Sequence, residues 1–560
     1  MSDTEKKKSK LEKIKENSHF LRGDIAEELQ NDNPYFSKSG LQLLKFHGTY
    51  QQDDRDARKG KDRHYMFMIR IRLPGGKMTS DQYVALDDVA NHFSWGTLRL
   101  TTRQTIQFHG ILKGDLKKTI QNINKTLITT LGACGDIVRN VMCNPAPDAE
   151  GKQTKIQEYA DFLSGLLLPE THAYHELWLD GEKIYSNREE INSEESLYGD
   201  SYLPRKFKIG ITAPGDNSID LYTQDIGLVA IFDEQNEIKG FNVIVGGGMG
   251  MNHKKKNTFP RLGDHLGYIS KDKLVQLVTN IIEIQRDHGD RGNRKHARMK
   301  YLIHDWGFDR FKEEVEKRVG FKLDPFIPLP KFELDLYLGW NMQADGNWYL
   351  GLSIENGRIK DDDQLKLKSG LRETIKKYDL NVRLTPNQNL LLTDISESQK
   401  DEIEQELRKY GIQLPGELSN ALKFSMACPA LPTCGLAIAE SERVMPDVIR
   451  ELEKVLRELG LENEKLTVRM TGCPNGCARP YVADIGFVGR SLNQYSVFIG
   501  GDPAGTRLNK RYKDRVQLEN LVSTVRPLLE QYKEERQADE AFSDYWNRVG
   551  LESIEEVVTN

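Results

Sequence analysis

At 560 residues the chain exceeds what one hydrophobic core sustains, and 38% apolar residues suffice for several domains. Lysine and arginine (79) nearly balance aspartate and glutamate (84), leaving a net charge of -5, so a global polyanion binder is excluded and any basic site is local. Six cysteines are too few for a disulfide scaffold, and the sequence has neither a leader pattern nor an apolar run of roughly 18 residues, so the reading is of a soluble, cytoplasmic protein without nucleic-acid or membrane partners.

Residues 1 to about 20 are rich in Lys and Glu and read as a frayed or solvated helix, followed by a short amphipathic helix over Phe20 to Leu29. Phe46-His-Gly-Thr-Tyr-Gln-Gln-Asp-Asp-Arg-Asp-Ala-Arg58 lacks periodicity and reads as an extended arm. Tyr65 to Gly76 reads as a strand closed by a turn, with helical spacing after it through Ala85, Leu86, Val89 and Phe93. Leu98 to Gly110 reads as a second strand. Its alternation puts Arg99, Thr101, Arg103, Thr105, Gln107 and His109 on one face. A solvated face normally mixes both signs, and this one carries no acid, which favours an anionic ligand.

Further along, Lys206 and Lys208 share one face of a strand in Leu203-Pro-Arg-Lys-Phe-Lys-Ile209, with Arg205 on the other. The run Phe241-Asn-Val-Ile-Val-Gly-Gly-Gly248 is a buried strand whose glycines either admit a ligand to the backbone or make a plain turn. Helical pattern over about 270 to 320 ends at the Pro-rich joint Asp324 to Pro330.

Beyond that joint the chain repeats itself. Val382-Arg-Leu-Thr-Pro-Asn-Gln-Asn389 echoes Leu98-Arg-Leu-Thr-Thr-Arg-Gln-Thr105, and Phe424-Ser-Met-Ala-Cys428 echoes Asn140-Val-Met-Cys143. Val482 to Val488 echoes Gln224 to Val229, and Tyr495 to Gly501 echoes Phe241 to Gly247. One copy keeps Arg103, His109, Arg139, Lys206 and Lys208; the other has Asn387, Thr393 and four cysteines. A site between a cationic half and a thiolate half follows.

Those cysteines are Cys428 and Cys434, spaced x5, and Cys473 and Cys477, spaced x3. Such a set suits an iron–sulfur cluster, with zinc and ordinary buried cysteines as alternatives; x2 pairs are the zinc habit. Cys134 and Cys143 read as core residues, His47, His64 and His253 as surface or core histidines, and Lys254-Lys-Lys256 as a solvated turn. The surplus of cations suggests a polycarboxylate cofactor beneath a small oxyanion. An electron carrier or zinc-stabilised structural protein would need the cysteines but not Arg70, Arg139, Lys206 and Lys208.

Together these motifs make the chain resemble, over nearly its whole length, the siroheme- and 4Fe-4S-containing sulfite and nitrite reductases. Within that family it is most similar to the hemoprotein (beta) subunits of assimilatory NADPH-dependent sulfite reductases, on the arm Phe46 to Asp56 and the run Leu203 to Lys208. The resemblance implies an α+β, internally duplicated (pseudo-twofold) sulfite/nitrite reductase fold with ferredoxin-like repeat units and mixed sheets. Its parts would be a partner-docking and inter-domain arm (1–60), ferredoxin-like units (61–132 and 326–415), a siroheme and substrate domain (133–325) and a cluster and siroheme domain (416–560). It also implies that Cys428, Cys434, Cys473 and Cys477 ligate the cluster, with Cys477 also axial to the siroheme iron. Arg70, Arg139, Lys206 and Lys208 would bind sulfite, while Arg99, Thr101, Arg103, Gln107, His109, Arg205 and Asn475 would contact siroheme carboxylates or line its pocket. Nitrite reductases of the fold tend to have Asn where Lys208 stands, which favours sulfite. Val138 departs from the Asn that relatives often carry before Arg139. With no flavin or nicotinamide fingerprint here, electrons would come from a flavoprotein (alpha) subunit carrying FAD and FMN in a hetero-oligomer, with ferredoxin as the alternative donor.

Overall fold

The computed structural model describes residues 8–60, 62–170, 176–179, 182–186 and 196–551. These residues form four five-stranded sheets, two topologies each written twice. One sheet runs Thr49–Asp53, Tyr65–Arg70, Ile106–Ile111, Leu98–Leu100, Arg358–Ile359; its counterpart runs Gly339–Met342, Trp348–Leu352, Leu390–Ile395, Asn381–Leu384, Lys77–Met78. The fifth strand of each is donated by the other half: Ile359 pairs with Leu98, and Met78 with Val382. Helices Ser80–Phe93 and Leu367–Tyr378 pack on one another beside this exchange, the first opened by a capping box between Thr79 and Gln82.

The other topology is Met142–Cys143, Ile209–Thr212, Ile226–Phe232, Ile238–Val245, Asp264–Ser270, repeated as Ser425–Ala427, Val468–Thr471, Ile485–Ser491, Gln494–Ile499, Lys510–Gln517. In both, the first three strands are parallel and the last two antiparallel. Parallel neighbours need a crossover, supplied by helix Lys152–Leu166 in one copy and helix Met445–Leu459 in the other. The latter buries Val448, Ile449, Leu452, Val455, Leu456 and Leu459 at helical spacing. One apolar core runs through both exchanged sheets and the sheet around Ile226–Phe232, while the last sheet has its own, around Leu452, Val468, Tyr495 and Trp546.

Five expectations change. The stretch 98–110 is two strands broken at 101–105, where Gln104 takes φ 53 and Thr101 N–H donates to Thr105 O at 2.9 Å. The alternating face therefore does not exist; Arg99 instead lies opposite Gln107 across the hairpin. The arm contains Thr49–Asp53, an edge strand paired in register with Tyr65–Arg70. The first helix, Lys10–Glu16, is anchored rather than solvated: Lys15 is fully buried between Glu12 (2.7 Å) and Asp136 (3.9 Å) and donates to Leu203 O at 2.8 Å. The next helix starts at Ile25, after left-handed residues at 19–21. Finally, Lys206 and Lys208 precede the strand Ile209–Thr212, in an extended stretch held by the bridge between Val138 and Phe207.

Candidate functional site

The thiols sit on two loops that leave the C-terminal ends of neighbouring parallel strands, Ser425–Ala427 and Val468–Thr471, where open α/β sheets bind their ligands. Gly472 stitches the loops together: its carbonyl accepts from Ile438 N (2.8 Å) and Ala439 N (3.0 Å). A Cβ on Gly472 would lie 2.5 Å from both the Ala430 Cβ and the Ala439 carbonyl oxygen, so only glycine lets the loops approach this closely. Gly472 N–H also donates to Cys428 Sγ at 3.5 Å, and Asn475 Nδ2 to Cys473 Sγ at 3.4 Å. Donors aimed at sulfur are a means by which proteins tune a cluster.

Burial first, and then neighbouring Cys477, pushes up the thiols of Cys428, Cys434 and Cys473, the last to about 12. Metal coordination deprotonates such thiols outright. No three His, Cys, Asp or Glu among the described residues surround a point closely enough for a single metal ion. Four thiols on two neighbouring loops are the donor set that a 4Fe-4S cluster takes, one thiolate at each corner. Arg55, unremarked in the sequence, donates to the carbonyls of Cys434 (2.6 Å) and Ala437 (2.8 Å), so the arm reaches the cluster loop. Residues 249–251 cover the other loop: Met251 N donates to Pro474 O at 2.9 Å, and Lys300 Nζ holds the carbonyls of Gly248 (3.0 Å), Gly250 (2.7 Å) and Phe259.

The cations of the first half converge on the same place. Arg70, at the end of its strand, is raised because Cys134, Tyr50 and Cys477 outweigh its burial. Its Nη1 donates to Cys134 Sγ at 3.4 Å, so this cysteine, fully buried as expected, also touches Arg70. Gln107 fits its neighbours with its amide oxygen toward Arg70 Nε (3.1 Å) and its amide nitrogen toward His109 Nε2 (3.3 Å). His109 Nδ1 then meets Gln52 Oε1 at 3.1 Å. Burial brings His109 down to about 3, so a neutral ring, protonated on Nδ1, passes orientation from Gln52 to Arg70.

Arg139 is clamped by its own loop, Nε to Gly135 O (2.8 Å) and Nη1 to Ala133 O (3.1 Å). Together with Tyr50, Asp136, Arg205 and Arg294 it lines one recess. Arg205 lies 3.8 Å from Asp136, which Arg294 holds at 2.9 Å. Lys208 N donates to Asp225 Oδ2 (2.9 Å), and Asp225 pairs with Arg298 at 2.7 Å, a second contact that sequence reasoning missed. The ammonium groups of Lys206 and Lys208 have no hydrogen-bond or carboxylate partner among the described residues. Burial, then Arg205, lowers Lys206 to about 7; burial, then Lys206, holds Lys208 well below its ordinary range.

The remaining residues divide. Arg103 spans to Gln224 Oε1 (2.9 Å) and Ile209 O (2.8 Å), and Thr101 Oγ1 meets Thr105 Oγ1 at 2.9 Å inside the turn. Arg99 is buried with its fork committed to Glu442 (2.9 Å), Ala427 O (2.9 Å) and Asn356 O, a structural clamp between the halves. The glycine amides at 246–248 donate to Asp225, Gln224 and Arg261 carbonyls, which is the plain-turn alternative. Val138 is buried in the main core.

A siroheme's carboxylates fit what is left over. Arg103 Nε and Asn387 Nδ2 are buried donors without a partner among the described residues, at equivalent positions of the two repeat turns, and a buried donor costs about 1–3 kcal/mol unless something accepts from it. Lys208, whose charge Arg103 opposes, and its neighbour Lys206 ask for anions as well.

The nitrite and sulphite reductase 4Fe-4S domain matches residues 159–323 and 421–560, and the nitrite/sulfite reductase ferredoxin-like half domain matches 58–125 and 341–410. A Synechococcus elongatus protein named sulfite reductase (ferredoxin) is 47% identical, covering 98% of this chain and 90% of that protein. A Staphylococcus saprophyticus protein named sulfite reductase (NADPH) hemoprotein beta-component is 45% identical, covering 98% and 97%. The Mycobacterium tuberculosis NirA structure has the same fold, with a TM-score of 0.78 at 22% identity over 96% of each chain. Matched in both repeated domains and along nearly all of its length, the chain belongs to the nitrite and sulphite reductase family, in its sulfite reductase hemoprotein group, with siroheme and a 4Fe-4S cluster as cofactors.

Proposed function

We propose that the chain reduces sulfite to sulfide with six electrons, in sulfate assimilation and cysteine biosynthesis, and that Cys477 is the thiolate shared by cluster and siroheme. The observation that carries this is the meeting of unpaired Lys206 and Lys208, with Arg70 and Arg139, at the cysteine loop of the other half. When bound, the siroheme would supply a redox-active iron to the site and the cluster would supply electrons singly. The chain's own part is electrostatic. Arg70 and Arg139, each held by fixed acceptors, draw charge from the sulfite oxygens. Lys206, poised near neutrality, holds and passes protons, so that each oxygen leaves as water with two electrons and two protons. Cys428, Cys434, Cys473 and Cys477 would carry the cluster. Thr101, Arg103, Gln107, His109, Arg205 and Asn475 would line the siroheme pocket, and Arg99 would act through the backbone it clamps.

The electron donor is a cytoplasmic flavoprotein (alpha) subunit with FAD and FMN that oxidises NADPH, in a hetero-oligomer docked in part through the arm. Its support is the 45% likeness to proteins named for NADPH. Ferredoxin is the second reading, favoured by the 47% likeness to a protein named for it. An absorption spectrum of the purified protein, with methyl-viologen-driven reduction of sulfite and nitrite, tests the chemistry; absent siroheme bands overturn it. Reconstitution with the flavoprotein and NADPH, against reduced ferredoxin, decides the donor.

A further inference from the structure

Asp220 and Arg479 occupy the same corner of the two repeats. Each takes a left-handed conformation, φ 47 and φ 53, and each opens an equivalent short helix, Leu221–Thr223 or Pro480–Val482. The two side chains form a buried ion pair with one another across the repeat axis. Arg469 already neutralises Asp220 at 2.8 Å, so charge balance alone does not require Arg479. What Arg479 adds is reach: its Nη1 donates to Thr102 O (3.0 Å), and its Nη2 to Pro386 O (3.0 Å) and Asn387 Oδ1 (3.3 Å). One guanidinium thereby holds both repeat turns, from a position two residues beyond Cys477. Thr102 closes the loop by donating its Oγ1 to the Cys477 carbonyl at 3.0 Å.

We propose that Thr102 and Arg479 are positioning residues for Cys477, locking its backbone against the turns of both halves and so fixing how its sulfur is presented to siroheme and cluster together. This rests on Cys477 being the shared thiolate. A planar fork is the only side chain that meets three acceptors on two separate turns while facing a carboxylate. Lysine at the position would keep the charge beside Asp220 and lose that geometry.

The test uses the full-length holoenzyme and the variants Arg479→Lys, Thr102→Val and Thr102→Ser. Siroheme and iron contents, siroheme absorption and the magnetic coupling of siroheme to cluster are read beside turnover. With cofactors fully loaded, Arg479→Lys and Thr102→Val are expected to shift the siroheme bands, weaken the coupling and lower kcat about tenfold, the equivalent of one lost hydrogen bond, at unchanged KM for sulfite. Thr102→Ser, which keeps the hydroxyl, is expected to restore all three. Unaltered bands and coupling in loaded Thr102→Val overturn the proposal, even if Arg479→Lys fails to fold. Wild-type protein that contains both cofactors without coupling overturns the shared-thiolate reading itself, and is recognised before any variant is made.

Discussion

Lys206 offers the most direct measurement of how the cationic site works. Burial and the neighbouring Arg205 bring it down to about 7, so in the absence of an anion the ammonium is charged below that pH and neutral above it. An oxyanion binds the charged form better. A charge-assisted hydrogen bond is worth roughly 1.5–3 kcal/mol, that is about 10- to 150-fold in affinity. By linkage the bound anion raises the lysine by the same energy, about 1–2 pH units. The apparent KM for sulfite is therefore expected to climb from about pH 7 and to level off near pH 8–9, having risen by that same factor. Carboxylates of bound siroheme act in the same direction as the substrate, so the limb in the holoenzyme lies at or above pH 7. Arginine does not titrate in this range, so Lys206→Arg is expected to remove the limb while sparing the cofactor spectra. Steady-state sulfide formation with methyl viologen between pH 6 and 9, expressed as the ratio of variant to wild-type KM, cancels the titration of sulfite itself. A ratio that stays flat across this range refutes the reasoning.

Lys208→Met should leave the siroheme and cluster spectra intact and cut sulfide formation by at least 10- to 150-fold, and undiminished turnover would remove Lys208 from the site. Asp225→Asn strands the buried Arg298 charge and is expected to destabilise the protein by about 3–5 kcal/mol, read as a lowered urea midpoint; an unchanged midpoint means that Arg298 finds another partner. Arg55→Ala frees the carbonyls of Cys434 and Ala437, so iron release to a chelator should accelerate on the order of tenfold or more, with wild-type kinetics arguing that the arm is irrelevant to the cluster.

The duplication was legible because each repeat preserves the same local devices: the Thr-x-x-Gln turn and the glycine exit recur with their left-handed residues, and the Asp-Ile-Gly motif enters the equivalent parallel strand in both. Type and spacing singled out the four cysteines, and the fold brings them onto two neighbouring loops. Periodicity failed where long-range contacts override it. Gln104 keeps a left-handed backbone because its side chain donates to Gly75 O (3.0 Å) and Leu384 O (3.1 Å), and neither partner is visible from the run Leu98 to Gly110. The same holds for Lys15, whose charge is tolerated in the interior by Asp136. Arg55, Thr102, Arg298 and Arg479 escaped notice for a related reason: each acts on a backbone atom or carboxylate dozens to hundreds of residues away, which composition cannot encode.

The exchanged strands bear on how such a molecule is assembled. Because Lys77–Met78 completes the sheet of the second half and Arg358–Ile359 that of the first, neither half has a finished edge until both are made. An unfinished sheet exposes unpaired backbone donors and acceptors. A nascent first half emerging from the ribosome thus waits, with an open edge, for a segment synthesised about 260 residues after its own strand Leu98–Leu100. Folding becomes a single commitment of the whole chain, and the crevice meant for the cofactors cannot close around them until both halves have locked.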